Sequence, residues 1–233
     1  MPMGQETAPE THPHAGHRDR LRKRLLSTPP EAFPDYELLE LLLFYVRPRQ
    51  DTKPLAKSLL SHYGSVSRIF HAPAEQLSQF PGMGEPSAIF FRAIKEIAIR
   101  LAKADVWQHE VLDSWEKLLA YCRIKNAYEP VEVFRVLHLN RKHQLIGDIM
   151  QQSGTIDHAT VYPREVVKEA LSLGASALIL LHNHPSGDPT PSAADIDVTL
   201  RIASTAKPLG ITVLDHIIIT PSSHTSLKAL GLF

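Results

Sequence analysis

The stretch His182-Asn183-His184-Pro185-Ser186-Gly187-Asp188-Pro189-Thr190-Pro191-Ser192-Ala193-Ala194-Asp195 decides how this chain is read. It follows Ala177-Leu178-Ile179-Leu180-Leu181, a wholly apolar run bounded by polar residues, which reads as a buried central strand. Histidines at i and i+2 at the end of an extended strand present both imidazoles on one side. The Pro- and Gly-rich residues that follow turn the chain sharply. Ser192 then sits near the N-cap of a helix reaching to Ala206, which puts Asp195 in its first turn. From there the carboxylate can swing back toward the two rings. Two nitrogens and one oxygen are a common zinc set, and three protein ligands leave a fourth position for water, the layout of a catalytic site. A His-x-His pair alone is more often a hydrogen-bonded structural pair. The Ser-x-x-Asp at this spacing, after an apolar strand, moves the reading to a metal held by His182, His184 and Asp195.

Water on such a zinc has a pKa near ~7 and needs a base to take its proton and pass it to the leaving group. Glu132 is the candidate, in a strand read over Val131–Leu139 from its alternation of apolar and polar residues. Ser192 can donate a hydrogen bond to the oxyanion of an attacked carbonyl. Several neighbours read as bland: Asp188 as a turn residue, Asp197 as solvated, His224 as part of a Ser-rich turn, and Cys122 as a small semi-buried hydrophobe. Asp215-His216 is either support behind the metal ligands or a hydrogen-bonded pair.

The flanking pattern supplies a sheet. After a helix over Ser114–Ile124 and the Val131–Leu139 strand comes a polar turn, then a second strand over Gln144–Gln151. Pro163 opens a helix that runs to Leu173 and stops at Gly174. Ile211–Leu214 and Ile217–Ile219 read as two late strands. The order β, β, α, β, α, β, β implies a mixed α/β sheet flanked by helices.

Residues 1–16, rich in Pro, His and Thr, read as a disordered tail whose His12 and His14, with the adjacent His17, make poor metal ligands. Residues 17–104 read as helical, 105–110 as a linker and 111–233 as the α/β domain. Helices are expected after Pro34-Asp35, from Thr52-Lys53-Pro54 to Tyr63 with a stop at Gly64, over Ala74–Gln79, and over Ser87–Ala104. Phe80-Pro81-Gly82-Met83-Gly84 makes a tight turn between the last two. A glycine turn that feeds a helix N-terminus is how helix-hairpin-helix modules hold a nucleic-acid phosphate; an ordinary αα-hairpin has the same pattern. The basic run Arg18-Asp19-Arg20-Leu21-Arg22-Lys23-Arg24 either meets phosphates or is a solvated helix start.

The chain has 233 residues, 43% of them hydrophobic and 21% charged, ordinary values for a globular protein. Net charge is zero, yet Lys and Arg outnumber Asp and Glu by 14 to 9 over residues 17–104, while the acids lead 14 to 11 beyond. A run of about 18 apolar residues is missing, as is a secretory-type start, and one cysteine forms no internal disulfide. These traits predict a cytoplasmic protein with no membrane partner.

Glu132, then His182-x-His184 and Ser192-x-x-Asp195, resembles the JAMM (MPN+) metalloprotease signature. The wording His182-Asn183-His184-Pro185-Ser186-Gly187-Asp188 resembles the RadC branch more narrowly, as do Gly154-Thr155, Pro163-Arg164-Glu165, Leu214-Asp215-His216-Ile217-Ile218 and His17-Arg18-x-Arg20-Leu21. The resemblance implies an MPN/JAMM fold, cytidine-deaminase-like, behind a small all-α helix-hairpin-helix-like domain. It implies Zn2+ on His182, His184 and Asp195, Glu132 as general base and Ser192 as stabilising hydroxyl. Glu165 is the alternative base, unless it only caps its helix. Three functions compete: a zinc hydrolase acting on a peptide or protein, a DNA repair-associated factor that binds nucleic acid through its helical region, and a metal-binding interaction module without activity.

Overall fold

The computed structural model describes residues 16–107, 110–153 and 161–233. His12, His14 and Gly154-Thr155 therefore lie outside the described residues. The chain forms two compact units that divide between Ile94 and Lys95. That division falls inside a single long helix, α6 (Gly84–Trp107), which continues into the segment read as a linker.

The first unit is all-helical: α1 (His17–Ser27), α2 (Asp35–Val46), α3 (Lys53–Tyr63), α4 (Val66–His71), α5 (Ala74–Gln79) and the start of α6. Local chemistry sets these bounds. Pro54 stands in the first turn of α3, and Gly64 ends the helix at φ +83°, where a Cβ would be strained. The short α4 is absent from the sequence reading; it starts where the Ser65 side chain accepts the Arg68 N–H, a cap that six residues of weak periodicity do not advertise. Leu39, Leu43, Leu59, Ile69, Leu77 and Phe91 are buried together, with Phe70 stacked on Phe91.

The second unit holds α7 (Trp115–Asn126), α8 (Pro163–Leu173), α9 (Ala193–Ala206) and a five-stranded sheet. The strands are β1 (Val133–Leu139), β2 (Leu145–Ser153), β3 (Ala177–Asn183), β4 (Thr212–Ile219) and β5 (His224–Ser226). Their spatial order is β2-β1-β3-β4-β5, parallel between β3 and β4 and antiparallel elsewhere. The mixed sheet agrees with the sequence reading, as does the element order through α9.

The central strand explains its own composition. Leu178 and Leu180 pack with Val166, Val167 and Ile202 of α8 and α9, while Ile179 and Leu181 pack on the other face with Leu118 and Cys122 of α7. A strand covered on both faces has no polar side to show. Each of these four side chains is fully buried and contributes about 1.5–3 kcal/mol of transfer free energy.

The two expected late strands are one. β4 runs unbroken from Thr212 to Ile219 through Asp215-His216, and the fifth strand is the short His224–Ser226. Asp215 breaks the apolar pattern but not the strand, because tertiary partners satisfy its carboxylate. It accepts the backbone N–H of His216 and Lys228 and the Ser226 hydroxyl. A register shift between Val213 and Asp215 inserts one extra residue opposite β3. Beyond it His216 pairs with Leu180, on the sheet face that carries the α9 side of the core.

Candidate metal centre

Three elements converge at the end of β3. His182 is its penultimate residue, and His184 follows it directly. The Pro185–Pro191 turn leads to Ser192, the N-cap of α9. Ser192 Oγ accepts the Asp195 N–H at 3.2 Å, and Asp195 Oδ2 accepts the Ser192 N–H at 2.7 Å, a reciprocal capping box. The cap sets where the helix begins, and so where Asp195 stands.

His182 Nε2 and His184 Nε2 lie 2.8 Å apart. Asp195 Oδ1 is 3.2 Å from His182 Nε2, and Oδ2 is 3.6 Å from His184 Nε2. Ligand atoms about 2 Å from one tetrahedral ion stand roughly 3–3.5 Å from each other, and the three separations here, 2.8, 3.2 and 3.6 Å, lie within a few tenths of an ångström of that range. All three side chains are buried or nearly so. Among the described residues, this is the group whose atoms can hold a metal ion.

The hydrogen bonds behind the ligands set the ring protons. His184 Nδ1 donates to the Asp188 carbonyl at 2.7 Å, which leaves Nε2 with its lone pair toward the group. On the other side, His182 Nδ1 lies 2.8 Å from His216 Nε2, and His216 Nδ1 lies 2.6 Å from Thr199 Oγ1. Thr199 Oγ1 in turn donates to the Asp195 carbonyl at 2.5 Å. One proton assignment satisfies the whole chain: His182 donates to His216, His216 to Thr199, and Thr199 to α9. It too leaves His182 Nε2 with a lone pair. Two lone pairs and a carboxylate facing one another in a buried place form an electrostatic demand for a cation.

With no ion between them, a proton on either ring Nε2 would instead be shared with Asp195, and the titration behaviour reflects that direct contact. Burial pushes the Asp195 carboxyl up, but hydrogen bonds from His182, His184 and Ser192 outweigh it and hold the group well below the usual carboxylate range. The hydrogen bond to Asp195 raises His184 against the opposing effect of burial, and the charges of Asp195 and Glu132 add to it. Burial first, and then His182, drive His216 far below the usual histidine range, so it stays neutral. Phe134 stacks on His182 at 6.1 Å between ring centroids and meets His216 edge-on at 5.5 Å, closing the inner side of the group.

The remaining sequence candidates fall into two sets. Glu132 stands just before β1 rather than within it, half-buried, with its carboxylate within electrostatic reach of His184. Glu165 instead pairs with Arg164 and Lys168 at the exposed start of α8. Asp188 works through its backbone carbonyl, while its side chain accepts both groups of Thr190. Asp197 pairs with Arg201 in the exposed part of α9. His216 is the support residue and Asp215 is not. The sequence reading missed Thr199 entirely, although it stands one turn beyond Asp195, where a polar residue shares the helix face.

Much of the basic run is used internally. The Arg18 guanidinium donates to the carbonyls of Arg47 and Gln50, Arg24 pairs with Glu37, Arg22 with Asp19, and His17 with Glu40. The α5–α6 turn does form, with Gly82 and Gly84 at φ +87° and +68° and the Arg47 guanidinium on the carbonyls of Gly82 and Met83.

Comparison with known proteins agrees with this architecture. The family pattern described as RadC-like JAB domain matches residues 112–232, and that of the UPF0758 N-terminal domain matches residues 14–89. A UPF0758 protein of Ruegeria pomeroyi is 51% identical over 215 residues, covering 92% of this chain and 96% of that protein.

Proposed function

The chain belongs to the RadC family, and from that membership we propose that it is a zinc-dependent hydrolase of the JAMM type that cleaves a peptide or isopeptide bond with metal-activated water. The observation that carries this reading is the meeting of two imidazole Nε2 atoms and a carboxylate at one buried point beside a strand end.

His182, His184 and Asp195 would hold the ion. Bound there, zinc lowers the pKa of a coordinated water to about 7 and polarises a carbonyl. Glu132 takes the proton from the attacking water and hands it to the leaving nitrogen. Ser192 donates to the developing oxyanion. At rest the Ser192 hydroxyl donates its one proton to Asp195 Oδ2, with 2.7 Å between the oxygens, so this role requires the hydroxyl to turn away from the carboxylate when substrate arrives. Phe134 keeps bulk water from the rings, and His216 with Thr199 holds the tautomer of His182.

Metal analysis of the purified protein beside the His182→Ala/His184→Ala variant tests the site: the expectation is one zinc per chain against none, and equal zinc in both rejects it. A cell extract treated with wild type or with Glu132→Gln then tests the chemistry. New protein termini should form only with wild type, while Glu132→Gln retains its metal. The same termini from both proteins would remove Glu132 from the mechanism.

The α5–α6 turn favours a second reading, binding of DNA by the helical unit. It supplies two glycines with positive φ leading into the first turn of α6, where backbone N–H groups lack intrahelical partners. Binding of duplex, single-stranded or branched DNA should weaken steeply with salt, because phosphate contacts release counterions. No retardation of any of the three at low salt ends this reading.

A further inference from the structure

Asn183 lies between the two ligand histidines and, as the intervening residue of an extended segment, faces away from them. It is fully buried, and its amide is saturated by one short piece of chain. Its Nδ2 donates to the carbonyls of Glu129 at 3.2 Å and Val131 at 3.0 Å. Its Oδ1 accepts the Val133 N–H at 2.8 Å. These three bonds bracket Glu132. Asn126, the last residue of α7 and also buried, adds a bond from its Nδ2 to the Val133 carbonyl at 3.2 Å and a longer one to Asn183 Oδ1 at 3.4 Å.

The β1–β3 ladder ends at the pair Phe134 and His182. On the β3 side the backbone before Phe134 therefore lacks a ladder partner, and the Asn183 amide takes that place. Among the natural side chains, only Asn and Gln carry two N–H donors and a carbonyl acceptor on one planar group, and Asn is a methylene shorter. We propose that Asn183 is a positioning residue: it clamps the 129–133 segment so that the Glu132 carboxylate keeps a set place relative to His182 and His184. One residue of β3 thus ties base to metal, with the ligands leaving from one side of the strand and the clamp from the other. The inference rests on the reading of Glu132 as the general base beside a metal.

The test uses full-length protein loaded with cobalt(II), whose visible absorption reports groups around the ion without any substrate. Asn183→Ala should still bind one cobalt per chain. Its spectrum should move toward that of Glu132→Gln, and the double variant should show no further change beyond Glu132→Gln alone. Hydrogen exchange should rise at the Val133 amide, whose N–H Asn183 accepts, and stay low through 135–138 and 178–181, separating a loosened clamp from a damaged sheet. On a peptide whose cleavage by the wild type is found in the extract experiment, turnover should drop on the order of 10- to 100-fold through kcat, the loss expected when a reacting group is misplaced by an ångström. Asn183→Asp, which keeps the acceptor and loses both donors, should fall between wild type and Asn183→Ala in exchange at the Val133 amide.

An Asn183→Ala spectrum like that of the wild type, or one that changes equally in the Glu132→Gln background, overturns the clamp. Spectral coupling without cleavage of any peptide by the wild type would leave the clamp standing and remove the hydrolase reading. Failure of the wild type to bind cobalt removes both.

Discussion

Ser192 does two jobs with one hydroxyl. It caps α9 and it donates to the carboxylate of the candidate ligand Asp195. Ser192→Ala should therefore lower stability by about 0.5–2 kcal/mol, the range for a lost N-cap, and weaken zinc by roughly 10- to 100-fold, the range for a lost partner of a ligand. Thermal melting and titration with a competing chelator measure the two separately. Thr199→Val keeps the cap and cuts the His216–Thr199–Asp195 link. It should weaken zinc with little effect on the α9 cap. If Thr199→Val leaves zinc affinity unchanged, the ring protons are held some other way. These residues differ in how openly the sequence announces them. Ser192 and Asp195 form a recognisable spacing; Thr199 becomes meaningful only when β4 brings His216 beneath it.

At the scale of an element, β4 is the informative case. Its polar pair looks like a break in one dimension, because alternation is the only signal a strand sends. In three dimensions Asp215 ties β4 to the C-terminal segment through Ser226 and Lys228, and the extra residue after Val213 puts His216 on the α9 side. Asp215→Ala leaves three donors without that acceptor and should destabilise the protein by about 1–3 kcal/mol or more. Chemical denaturation gives the value, and a change below half a kcal/mol would show that the carboxylate is dispensable to β4. By contrast, β3 and α8 follow directly from their residues: one is an unbroken apolar run covered on both faces, the other is bounded by Pro163 and Gly174.

The molecule as a whole carries buried histidines that have to stay neutral. Burial holds His138 below the usual histidine range, against the raising effects of Glu169, the Val136 backbone and Asp148, and it does the same for His216. A histidine with a depressed folded pKa takes up its proton more readily in the unfolded chain. Its stabilising share is complete above the unfolded pKa of about 6.5 and is lost as pH falls below it. The metal-free protein should thus melt at lower temperature at pH 5 than at pH 7.5. His138→Leu should flatten that slope, and an unchanged slope would remove His138 as a contributor. Excess zinc should raise the melting temperature of wild type and leave the His182→Ala/His184→Ala variant where it was, because a ligand stabilises only the state that binds it. Among the described residues, no helix is long and apolar enough to cross a membrane.

The candidate ligand cluster, the mixed sheet and most helix ends could be read in one dimension because each depends on neighbours close along the chain. A strand end, a proline turn and a cap put His182, His184 and Asp195 within reach of one another whatever the rest of the molecule does. The support behind them could not be read this way. Thr199, His216 and Phe134 come from three separate elements, and Asn183 meets a segment fifty or more residues earlier. Their roles arise from packing across the sheet, where distance along the chain carries no information. Local chemistry names the groups that could hold an ion; the fold supplies the partners that hold them still.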